Sequence, residues 1–128
     1  MDRNDIINKL NKYNLDKEKY MVVAGSAMTL LGVKETTNDI DLAVTQDYYD
    51  YLLQKYNCKL EITNTFGANV YFLDDVISFS TSYYTEDKDW IDGIPIQKVE
   101  DIIRLKRGLN RTKDLIDIEI LQKFLDKK

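Results

Sequence analysis

Short apolar runs of strand character alternate along this chain with stretches of helical periodicity, and that alternation restricts the fold more than any other feature. Ile6, Ile7, Leu10 and Tyr13 repeat at helical spacing ahead of Asn14, which predicts a helix over 4–14. The apolar run from Tyr20 to Ala24 closes on Gly25-Ser26 and reads as a buried strand; a brief helix from Ala27 to Leu31 then stops at Gly32. A polar loop over 33–38 leads into Asp39-Ile40-Asp41-Leu42-Ala43-Val44, a strand that alternates and then runs apolar. Thr45 suits an N-cap for the stripe Tyr49, Leu52, Leu53 and Tyr56.

The next part is rich in strands. Residues 59–63, 69–73 and 76–80 are three, the last two joined through Asp74-Asp75 in a tight turn. Ser82 to Asp92 reads as an exposed excursion, and Ile94-Pro95-Ile96 as an edge segment, because proline donates no ladder hydrogen bond. Two helices, 98–109 and 112–126, finish the chain, with Thr112 as the cap of the second. The expected fold is a single α/β-type (mixed α+β) domain over 1–128, a mixed sheet flanked by helices with a C-terminal helical pair.

A chain of 128 residues suffices for one packed core. It has no apolar run of membrane-spanning length, and its first residues lack the apolar centre of a secretion signal, so neither membrane nor export is expected. One cysteine, Cys58, fits a reducing cytoplasm. The complete absence of histidine excludes imidazole acid–base chemistry, serine–histidine triads and histidine-containing zinc sites. Any metal must then be held mainly by oxygen, as Mg²⁺, Mn²⁺ or Ca²⁺ is. The net charge of −4 argues against a general nucleic-acid coat. Residues 104–113 nevertheless carry +5 (Arg104, Lys106, Arg107, Arg111, Lys113) and no acid, which leaves −9 for the remainder. A basic segment on an acidic body suits a few phosphates rather than a long polyanion.

Three groups of residues have the makings of chemistry. Gly25-Ser26 sits where a strand passes into a helix, where free N–H groups and the helix dipole favour an anion and the Ser26 hydroxyl adds a donor. A plain helix cap fits the same two residues. Asp39 and Asp41, two apart on a strand, leave one face while Ile40 and Leu42 enter the core. A divalent cation between two such carboxylates would relieve their repulsion, while an exposed polar strand face would simply tolerate it. Lys106 falls within the apolar stripe of Val99, Ile102, Ile103, Leu105 and Leu109, and Asp114 and Asp117 within that of Ile116, Ile118, Ile120, Leu121, Phe124 and Leu125. Charges on core-facing positions need partners. Lys106 with Asp114 or Asp117 reads as a structural ion pair, or as a phosphate-binding lysine oriented by an aspartate; the two are compatible.

Apolar strand, Gly25-Ser26, twelve residues and then Asp39-Ile40-Asp41-Leu42 resembles the signature of the DNA polymerase β-like nucleotidyltransferase superfamily. The stretch from Val99 to Lys106, with Arg111-Thr112-Lys113-Asp114-Leu115-Ile116-Asp117-Ile118, is similar to the closing segment of its small bacterial members, including abortive-infection and toxin-type enzymes. The resemblance covers about 20–121 and implies transfer of a nucleoside monophosphate from an NTP to an acceptor. It implies Asp39 and Asp41 as ligands of Mg²⁺ or Mn²⁺ and Gly25 and Ser26 as triphosphate ligands. It also implies Lys106 as a catalytic residue with Asp114 or Asp117 beside it, and the basic segment 104–113, Arg111 included, is expected to contact the triphosphate or a phosphorylated acceptor. A tRNA end, a protein or a small molecule are the acceptors to expect, with a homodimer or a cognate antitoxin as protein partner. One position departs from the pattern: a third carboxylate is expected on a later strand, where this chain has Ser78. A catalytically degenerate nucleotide-binding or partner-binding module is therefore the alternative reading.

Overall fold

The structure is a computed structural model that describes residues 1–63 and 67–127. In chain order its elements are α1 (Arg3–Tyr13), β1 (Tyr20–Val23), α2 (Ala24–Leu30), β2 (Ile40–Val44), α3 (Gln46–Lys55) and β3 (Lys59–Thr63). There follow β4 (Asn69–Phe72), β5 (Ile77–Ser80), β6 (Asp89–Ile91), β7 (Ile94–Ile96), α4 (Val99–Leu109) and α5 (Thr112–Asp126). The strands form one mixed sheet in the order β3-β4-β5-β2-β1-β7-β6. β2 runs antiparallel to β1 and parallel to β5. This is the mixed α+β domain with a C-terminal helical pair that the sequence pattern predicts.

Local chemistry explains the boundaries. Asp2 and Asp5 close a reciprocal capping box at the start of α1, and Asn14 ends it in the left-handed conformation that asparagine tolerates. The Thr45 hydroxyl accepts the Tyr48 N–H at the start of α3. Period-two alternation sorts the central strands. Tyr20, Val22, Ile40, Leu42, Ile77 and Phe79 pack against the helices together with Ile6, Leu10, Leu52 and Ile102. Met21, Val23 and Ala43 form a smaller apolar set with Ala24 and Tyr84. Asp41 and Ser78, which alternate with Ile40, Leu42, Ile77 and Phe79, fall on the side of that smaller set.

Four expectations are corrected. The segment Ile94–Ile96 is not an edge: β7 lies between β1 and β6, and β6, inside the expected excursion, forms the edge. The Gln97 N–H donates to Val22 O, so alternation turns the nitrogen of Pro95 toward β1 two residues earlier, opposite Tyr20. There the Lys88 ammonium donates to the Tyr20 carbonyl, filling the place of the N–H that proline lacks. The brief helix begins at Ala24 rather than Ala27, and Val23 rather than Ser26 occupies its N-cap. Thr112 is the first helical residue of α5, after Arg111 at the N-cap. Finally, the outer parts of the two C-terminal stripes are not covered: Leu109 is 47% exposed, Ile116 56% and Ile120 36%.

Candidate active site

The site grows from the contact between β2 and the start of α2. Ser26 is fully buried, and its hydroxyl works on two sides, donating to Val23 O and accepting the Asp41 N–H at 3.0 Å. The hydroxyl hydrogen is thus committed within the chain, so Ser26 does not supply the extra anion donor expected of it; it ties the β1–α2 turn to the aspartate strand. The turn itself is strained. Ala24 adopts φ +57°, a conformation that disfavours a side chain, and its N–H is held by the Gln97 side chain at 3.2 Å. Gly25 leaves open space: a Cβ there would find nothing nearer than Lys34 Nζ at 3.9 Å and Thr37 Oγ1 at 4.0 Å.

On the other side of that tie stands Asp41. Ile40 and Leu42 on either side of it are buried in the core, as alternation predicts. Parallel pairing sets Asp41 opposite Ser78, whose hydroxyl donates to Asp41 Oδ1 at 2.9 Å. Serine therefore does occupy the place beside Asp41 on β5. Burial, followed by the neighbouring charge of Asp39, pushes the Asp41 carboxyl up to about 6 against the opposing effect of the Ser78 hydrogen bond. None of the ion pairs among the described residues involves Asp39 or Asp41. A cleft of about 160 Å³ opens at Asp41, walled by Val23, Val70, Ser78, Ser80, Tyr83 and Leu105.

Glu61 on β3 lies close enough to act electrostatically on this acidic pair and is one residue that sequence reasoning missed. Its charge reaches both aspartates, and its own carboxyl is raised by burial and then by Asp39. The β3–β4 register shifts between Leu60 and Ile62, so Glu61 stands outside the alternation from which its direction would be read.

A cluster of ion pairs is built from α4, α5 and the loop before Asp39. Lys106 is only 7% exposed and lies 3.0 Å from Asp117 Oδ2 and 3.6 Å from Asp114 Oδ1. Both aspartates named for Lys106 are thus its partners. Asp114, fully buried, also accepts from Arg111 Nε at 2.6 Å, and the Arg111 hydrogen bond keeps its carboxyl well down, at about 2. Lys34 is the second residue missed: its Nζ lies 3.5 Å from Asp117 Oδ2, which connects the C-terminal ion cluster to the open space at Gly25. A chain of contacts therefore links these residues, from Asp41 through Ser26 to the turn at Gly25 and from Lys34 beside Gly25 to Asp117, Lys106, Asp114 and Arg111; of the expected site residues only Asp41 lines the cleft itself.

Among the described residues, no group of three carboxylate, thiol or imidazole side chains is placed to hold a metal ion alone. Mg²⁺ is commonly held by one or two carboxylates together with waters and substrate phosphates, and the pair Asp39 and Asp41 fits that demand. No protein-family model matches this chain, and no curated protein matches it either.

Proposed function

We propose that this chain is an NTP- and Mg²⁺-dependent nucleotidyltransferase. The observation that carries the reading is the position of Asp41: its carboxylate meets Ser78 in a cleft beside Asp39, while its own N–H is tied through Ser26 to the turn at Gly25. A metal-laden triphosphate carries both a cation and anionic phosphates, and carboxylates at Asp39 and Asp41 with the Lys34 ammonium beside Gly25 offer partners for each. Asp39 and Asp41 would hold the ion, Mg²⁺ or Mn²⁺; when bound, it would shield the triphosphate and polarise the reacting phosphorus. Gly25 gives the phosphates backbone access, and the ion pairs of Lys106 with Asp117 and Arg111 with Asp114 fix the cluster to which Lys34 adds its charge.

In the reaction, an acceptor oxygen forms a bond to the α-phosphorus of the NTP. The bond to the pyrophosphate oxygen breaks, and the acceptor's proton passes to solvent. In-line displacement asks the protein chiefly for positioning and charge rather than for covalent chemistry. A tRNA end, a protein or a small molecule would serve as acceptor, and a second copy or a cognate antitoxin as protein partner.

Ser78 favours a second reading, a nucleotide-binding module without transfer, because a hydroxyl is a poorer ligand for Mg²⁺ than the carboxylate it replaces. Incubation with each α-labelled NTP and Mg²⁺, beside the variant Asp41→Asn, separates the two. Label on an acceptor in the wild type and its loss in the variant are expected; nucleotide binding without transfer to RNA, protein or small-molecule acceptors overturns the enzyme reading.

A further inference from the structure

Resting on the nucleotide reading above, we propose that Lys34 is a triphosphate-binding residue: its ammonium leaves Asp117 to take the distal phosphates of a nucleotide lying over Gly25. Two ammoniums share one carboxylate oxygen, Asp117 Oδ2, and they share it unequally. Lys106 sits at 3.0 Å with its side chain 9% exposed, whereas Lys34 sits at 3.5 Å with its side chain 42% exposed. Lys106 alone neutralises Asp117, and Asp114 is already engaged by Arg111. The cluster of Lys34, Lys106 and Arg111 against Asp114 and Asp117 carries one positive charge in excess.

Burial confines Lys106 to its carboxylates, because an unpaired charge there would be costly. Lys34 has no such restraint. It stands on the solvent side of the ion pair, and its Nζ is the atom nearest to the space over Gly25. The loop that carries it is anchored at both ends: the Val33 N–H donates to Met28 O, and Thr37 exchanges backbone hydrogen bonds with Met1. Lys34 therefore needs only side-chain rotation to exchange one anionic partner for another. Until a ligand arrives, Asp117 holds the ammonium at the mouth of the site, which lessens the ordering cost of binding. The ligand class follows from the reach of the side chain. Asp41 is tied through Ser26 to the turn at Gly25, and Lys34 stands on the far side of Gly25 beside Asp117; with the reacting phosphate held by the metal at Asp39 and Asp41, the group that meets Lys34 is a further phosphate of the chain, so Lys34 is proposed to favour triphosphate over monophosphate.

The test measures dissociation constants of the four NTPs, their monophosphates and inorganic tripolyphosphate, all with Mg²⁺, by calorimetry. Wild type, Lys34→Met and Lys34→Arg are compared. Lys34→Met is expected to weaken triphosphate and tripolyphosphate binding about tenfold or more, the loss of one charge-assisted contact. Monophosphate affinity and melting temperature should stay unchanged, and Lys34→Arg should restore most of the lost affinity. Equal triphosphate affinity in wild type and Lys34→Met, or an equal loss for monophosphates, overturns the role of Lys34 and leaves the nucleotide reading standing. Failure of the wild type to bind any of the triphosphates overturns the nucleotide reading and, with it, this inference.

Discussion

At the scale of single residues, Asp41 is held in a state that costs the fold stability. Its carboxyl binds a proton up to about pH 6 in the folded chain, whereas an unfolded aspartate releases it near about pH 4. The folded chain therefore holds the extra proton between those values, and stability declines as pH rises through them and stays low above. Keeping this carboxylate ionised in the folded chain at neutral pH costs about 3 kcal/mol on that account. Asp41→Asn removes the charge and keeps an acceptor for the Ser78 hydroxyl. It should stabilise the metal-free protein at about pH 7.5 by up to about 3 kcal/mol, a gain that fades to nothing below about pH 4. Urea unfolding in the presence of a chelator across that range is the measurement. A variant destabilised at the alkaline end would mean that the carboxylate is not strained. Stability surrendered at one residue is what a binding site tends to require.

Among the elements, α1 is fastened to the β4–β5 turn through one side chain. Burial alone would raise the Asp74 carboxyl, but donors from Tyr13, the Val76 N–H, Lys9 and the Ile77 N–H outweigh it and bring it down to about 2. That stability is present above the ordinary carboxylate range and is lost as pH falls from about 4 toward about 2. Asp74→Asn should cost about 2 kcal/mol at about pH 5 and above, and progressively less under acid, in parallel unfolding curves of the two proteins. The elements themselves were mostly legible, because caps at Asn14 and Thr45 and the period-two run at Ile40–Val44 are written in adjacent residues. The interior place of β7 was not. Proline argues for an edge until a lysine from outside the strand is known to serve the carbonyl left opposite, and Lys88 stands 68 residues from Tyr20. The helical stripes of α4 and α5 overstated burial for a related reason: periodicity gives the apolar side of a helix but not how much of it a neighbour reaches.

Across the whole molecule, the candidate site draws on chain regions far apart in sequence, and its legibility follows from that. Asp39, Asp41 and Lys106 announce themselves through position, as charges placed against a strand or helix pattern. Lys34 lies in a polar loop and Glu61 on a strand whose register shifts at it, so only tertiary geometry gives them meaning; Ser26 stands out in the sequence, but its hydroxyl serves the fold rather than a ligand. The proposed function also implies coupling between ligands. A metal ion at Asp39 and Asp41 without phosphates lacks most of its ligands, and a triphosphate without the ion faces two or three carboxylates. Each should raise the melting temperature little by itself. Together they should stabilise the fold by about 2.7 kcal/mol when nucleotide reaches about a hundredfold excess over its dissociation constant, well above the sum of the separate effects. Thermal unfolding with Mg²⁺, with NTP and with both measures this directly. Asp41→Asn should remove the excess altogether, because it acts on the pair proposed to hold the ion, while Lys34→Met should only reduce it. Additive shifts in the wild type would show that cation and nucleotide do not meet in this cleft.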